Sequence, residues 1–152
     1  MLTEEIKMDM LNSIGLDKEE YKRTMWGVII ADSKVISDFA AFMDKHELNG
    51  GSYSALSNQY CFIGIKDNYL AFAGIDNLKP KKMINSAILP FEDIKKVQIK
   101  RSLFGRVIIL ILTKSGILKL ILSKNTIGSK LDKQGQIDGI NTLISNLQSL
   151  NK

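Results

Sequence analysis

Residues 107 to 124 constrain this chain more than any other stretch: Val107-Ile108-Ile109-Leu110-Ile111-Leu112 and Ile117-Leu118-Lys119-Leu120-Ile121-Leu122 flank Thr113-Lys114-Ser115-Gly116. Two short apolar runs rich in β-branched residues, joined by a polar turn containing glycine, predict an antiparallel hairpin. An antiparallel sheet with one wet face alternates apolar and polar side chains, yet Val107 to Leu112 is apolar on both faces. Something must cover the second face. Helices within the chain, at 3 to 14 and 33 to 48, are the simpler cover, and another subunit is the alternative.

The rest of the pattern supplies those helices and more strands. Thr3 can cap a helix with Glu4 and Glu5 in its first turn and Ile6, Met10 and Leu11 on one edge, ending near Gly15. The capping-box spacing of Asp17-Lys18-Glu19-Glu20 predicts a short helical turn before a strand at Met25 to Ala31. Val35, Ile36, Phe39, Ala40 and Met43 recur at helical spacing, predicting a helix over 33 to 48 that Asn49-Gly50-Gly51 stops. Strands then follow at 60 to 65 and 69 to 75 around the turn Lys66-Asp67-Asn68, at 83 to 89 and at 94 to 100. Ile137, Ile140, Leu143, Ile144, Leu147 and Leu150 mark a closing amphipathic helix, whose start Gly135 and Gly139 each weaken by about 1 kcal/mol.

A chain of 152 residues with 45% apolar content suits one domain, 1–152, with a helical part and first strand over 1–59 and a β core over 60–152. Its apolar runs fall short of the roughly 20 residues of a membrane span, and Met1-Leu2-Thr3-Glu4-Glu5 lacks a basic leader. The single cysteine, Cys61, forms no internal disulfide, in keeping with a reducing compartment. The expected location is the cytoplasm, with the inner face of the membrane as a peripheral alternative. Charge is uneven: residues 1 to 60 carry 6 Lys/Arg against 10 Asp/Glu, and residues 61 to 152 carry 15 against 6. The β-rich part is therefore basic, which suits an anionic partner or an acidic segment resting on it.

One strand, a helical excursion, six further strands and a terminal helix make a β-roll that the last helix can plug. Gly64-Ile65-Lys66-Asp67-Asn68-Tyr69-Leu70-Ala71-Phe72 resembles the strand-turn-strand "G-L-T-D-K-R-L-I-F" of bacterial pleckstrin-homology-like and GRAM-like domains. Leu89-Pro90-Phe91-Glu92-Asp93-Ile94-Lys95 resembles their "I-P-L-E-D-I-K", and Leu103-Phe104-Gly105 before the hairpin fits as well. The likeness covers residues 60 to about 150. It implies a seven-stranded antiparallel roll closed by a helix, and a noncatalytic module that binds lipid, peptide or another copy of itself. Lys66 stands where the family usually has Thr, and Tyr69 where it has Arg, so no role of that Arg carries over.

Chemistry-bearing constellations are sparse. Cys61 lies in an apolar strand and His46 near a helix end beside Asp44 and Glu47, a poor nucleophile-base pair. One His, one Cys and scattered carboxylates do not reach metal-ligand spacing, and Gly50-Gly51-Ser52 lacks the lysine and preceding strand of a phosphate loop. Neither catalysis nor a cofactor is expected. Surface chemistry remains: Lys79, Lys81 and Lys82 on one loop, with Lys95, Lys96, Lys100, Arg101 and Arg106 around a later strand, form a candidate basic rim, and Leu103 and Phe104 a candidate apolar tip between cations. Lysines also guard exposed strand edges, which is the plainer reading. The resemblance implies that a phosphoinositide pocket would have basic residues in the connection after the first strand; here that connection carries Asp32, Asp38, Asp44 and Glu47, which argues against such a pocket. Phe62, Tyr69 and Phe72 read as core, which leaves little for stacking nucleic-acid bases. The expected partner is protein, itself included; the alternative is an anionic phospholipid surface.

Overall fold

A computed structural model describes residues 2–31, 59–76, 79, 82–102, 105–114, 116–124 and 131–150. The expected helix over 33–48, and with it His46, lies outside the described residues, as do Lys81, Leu103 and Phe104. Helix α1 (Glu4–Ile14) leads into seven strands: β1 (Arg23–Ala31), β2 (Gln59–Ile65), β3 (Tyr69–Ile75), β4 (Met83–Pro90), β5 (Ile94–Arg101), β6 (Arg106–Thr113) and β7 (Ile117–Ser123). Helix α2 (Lys133–Gln148) follows. The expected mainly β roll with flanking helices is the fold that forms.

All strand pairs are antiparallel, in the order β4-β3-β2-β1-β7-β6-β5. β1 holds the two halves together. It pairs with β2 from Arg23 to Ile29 and with β7 from Val28 to Ala31. A single 3-10 turn, Phe91–Asp93, carries the chain from β4 at one edge to β5 at the other, tied on either side by Phe91 N–H to the Asn68 carbonyl and Lys114 N–H to the Asp93 carbonyl. Gly105 closes the β5–β6 turn with φ of 74°, a left-handed conformation that side chains resist.

The period-2 alternation of the strands divides two apolar layers. On the inner face, Met25, Ile29, Ile63, Phe72, Ile109 and Leu120 pack against Ile140, Leu143, Ile144 and Leu147 of α2. On the opposite face of β1 to β4, Trp26, Phe62, Ala71, Ala73 and Ile88 pack under Met10, Leu11 and Ile14 of α1. β3 is consequently buried along its whole length. Phe62 and Phe72 are fully buried, one in each layer, and each contributes about 2–3 kcal/mol of burial.

The expected Thr3 cap forms, and the structure adds one at Asp132. Thr3 accepts the Ile6 N–H at 3.2 Å, and Asp132 accepts the Gln134 N–H at 3.1 Å to start α2. Glu4 ties the two helix starts, its carboxylate accepting the Asp132 N–H at 3.1 Å. The expected helical turn at Asp17 to Glu20 does not form. Asp17 accepts the Glu19 N–H at 3.1 Å in a local side-chain turn, and Lys66 holds the same carboxylate oxygen at 2.8 Å, so the residues bend across the β2–β3 turn instead.

Candidate functional site

The alternation that buries Val107, Ile109 and Ile111 turns Ile108, Leu110 and Leu112 outward. Strand register then builds rows across the sheet. Lys100, Ile108, Ile121, Val28 and Tyr60 lie side by side from β5 to β2. Gln98, Leu110, Lys119 and Ile30 form the next row, and Lys96, Leu112 and Ile117 a third. The result is an apolar centre with lysines at its β5 border and Lys119 in its middle row.

α1 was one of the two helices expected to cover this face, and it does not: its apolar edge packs over β2, β3 and β4. Ile108, Leu110, Ile121, Val28 and Ile30 are half-buried, and Leu112 and Ile117 are 38% and 49% exposed. Tyr60, 38% exposed, ends the first row and meets Trp26 edge to face, with ring centroids 6.1 Å apart. None of the seven strands contains an Asp or Glu, whereas β5 alone carries Lys95, Lys96, Lys100 and Arg101. Among the described residues, Lys96, Lys100 and Lys119 pair with no carboxylate.

The basic residues singled out in the sequence divide into two groups. Lys95, Lys96, Lys100, Arg101 and Arg106 are all exposed on the β5–β6 hairpin. Lys79 and Lys82 are exposed on the connection between β3 and β4, at the other end of the strand order. Within the first group, Lys96 and Lys100 fall in these rows, and Arg106, which shares the outward parity of Ile108, pairs with Ser123 in the row beyond them. Lys95 sits at the register shift between Ile94 and Lys96, and Arg101 shares the parity of the inward-facing Val97. Lys119, which the sequence pattern shows only as an interruption in an apolar run, is the cation the register adds to this face.

Lys66 and Tyr69, where the chain departs from the motif it resembles, have a common structural purpose. Lys66 is 4% exposed, with its ammonium bonded to Asp17 and to the Glu19 carbonyl and 4.4 Å from the centre of the Tyr21 ring. The Tyr69 hydroxyl accepts the Leu16 N–H at 3.0 Å and donates to Asp17 at 3.4 Å. Hydrogen bonding from Lys66 holds the Asp17 carboxyl below its ordinary value of 3.8, while burial pushes the phenols of Tyr21 and Tyr69 up. These contacts clasp residues 16–21 to the β2–β3 turn. Beside the clasp, Leu16, Tyr69, Ile88, Phe91 and Leu150 line an open groove of about 520 Å³.

Cys61 is 1% exposed, and burial pushes its thiol far above the usual range, which keeps it protonated and inert. Among the described residues there is no cluster of His, Cys, Asp or Glu able to hold a metal ion, and no helix long and apolar enough to cross a membrane. Comparison of the chain with protein-family models, with curated proteins and with solved structures finds no match.

Proposed function

We propose that this chain is a noncatalytic, pleckstrin-homology-like module that binds protein, another copy of itself included, through the outer face of β5, β6, β7 and β1. The carrying observation is that face: apolar side chains in register across four strands, left partly exposed where α1 covers the equivalent surface of β2 to β4. Contiguous apolar area of this kind marks interaction surfaces on folded proteins. The strand order and terminal helix support the family reading, together with the two sequence words at 64–72 and 89–95. An anionic membrane surface is the second reading, favoured by exposed Lys96 and Lys100 beside Leu112 and Ile108.

Mass in solution across a concentration series, flotation with neutral and anionic vesicles, and affinity capture decide between them, each run on the wild type and on Ile117→Asp. Self-association or capture of a discrete protein, lost in the variant, supports the protein reading. Salt-sensitive flotation with anionic vesicles, without either of these, replaces it with the membrane reading.

A further inference from the structure

We infer that the outer face of β5, β6, β7 and β1 is the seat for an acidic amphipathic helix supplied by a protein partner, a step that rests on the protein-binding reading above. The dimensions come from the register. Four neighbouring strands span about 15 Å, and three rows along them about 13 Å, which matches the apolar stripe of a helix about 10–12 Å across through two to three turns. Leucine-type anchors at i, i+3 or i+4, and i+7 would then run along the three rows marked by Ile108, Leu110 and Leu112.

Charge selects the flanks of that helix. Lys96 and Lys100 border the apolar rows on the β5 side, and Lys119, half-buried, lies between Leu110 and Ile30. None of the seven described strands offers a carboxylate in return. Glutamate or aspartate beside the anchors would pair with these ammonium groups at a partly desolvated surface, where such pairs fix orientation and suppress wrong partners. A second copy placed face to face would instead bring a second set of these lysines and no carboxylate from its seven strands to the interface.

The test uses the full chain and two fluorescent synthetic helices with identical leucine anchors, one flanked by glutamates and one by lysines. The Glu-flanked helix is expected to bind saturably, about tenfold or more tightly than the Lys-flanked one, with affinity falling as salt rises. Leu110→Glu is expected to abolish binding. Lys119→Glu combined with Lys100→Glu, exposed or half-exposed sites where folding is retained, is expected to reverse the preference between the two helices. Equal binding of both helices, indifference to the charge reversals, or no binding to a monomeric chain would overturn the proposal. A concentration-dependent dimer lost in Ile117→Asp would overturn it while leaving the protein-binding reading standing. Flotation with anionic vesicles lost in the charge variants, with neither helix bound, would remove both.

Discussion

The side-chain amide of Gln136 serves both backbone polar groups of Trp26, accepting its N–H at 3.0 Å and donating to its carbonyl at 2.9 Å. The same nitrogen donates to the carbonyl of Ser123, the last residue of β7, at 2.9 Å. β1 pairs with β7 only from Val28 onward, so Gln136 supplies the next rung where the two strands diverge. Replacing it with the similarly sized methionine leaves three backbone groups without this partner. Gln136→Met is expected to cost about 2–4 kcal/mol, read as a lower urea midpoint from the fluorescence of Trp26, the single tryptophan.

Gly139 faces β1 at close range. A Cβ there would stand 3.0 Å from the Thr24 carbonyl oxygen and 3.2 Å from the Met25 Cβ. Helix propensity alone makes Gly139→Ala favourable by about 1 kcal/mol, whereas pushing α2 off the sheet costs about 1–3 kcal/mol. Packing wins, and the expected result is net destabilisation. Ser145→Ala on the exposed side of the same helix, which carries the propensity effect without the crowding, is expected to leave stability unchanged or slightly raised in the same denaturation experiment.

The clasp at Asp17 carries a pH dependence whose sign follows from its lowered carboxyl. A group with a depressed folded-state pKa contributes stability that is present above its unfolded value and lost as pH falls through the folded one. Stability from this contact is therefore full above about pH 4 and declines below it. Asp17→Asn is expected to flatten the acid limb of the stability curve, measured by thermal melting across pH. At the alkaline end, Tyr21 and Tyr69 resist ionisation, so their phenolate absorbance is expected to emerge above the ordinary tyrosine range and together with unfolding.

Thiol chemistry offers a direct reading of core integrity. Cys61 is expected to resist a soluble disulfide reagent in the native protein and to react fully in denaturant. Rapid native labelling would contradict the packing of β2 between its neighbours.

Much of this architecture is legible in the residues. The seven strands emerge from apolar runs and turn chemistry, because β-branched clusters punctuated by Gly, Pro and Asn leave few other ways to fold. The end of α1 at Gly15 and its start at Thr3 follow from capping alone. What escapes is whatever depends on partners distant in sequence. The stripe of α2 leads the eye to Ile137, yet the helix turns Gln136 inward to bond the backbone of Trp26 and the carbonyl of Ser123, more than ten residues away in each case, which no local pattern records. Asp17 looks like a helix cap until Lys66, 49 residues away, claims its carboxylate. The candidate face was half visible: two-sided apolarity at 107–112 signals a need for cover, but the rows joining Lys96 to Leu112 and Lys119 to Ile30 exist only once register is known.

The position of β1 also sets an order on assembly. β2, β3 and β4 form one meander and β5, β6 and β7 another, each built from neighbours joined by short turns. Such local pairings close small loops and form early, whereas the junction of Val28–Ala31 with Leu118–Ile121 must bring together segments some ninety residues apart. A ribosome that has released only the first meander has nothing for the far edge of β1 to pair with. That edge must wait for the last strand to emerge, so the seam between the two halves forms only after both meanders have been made.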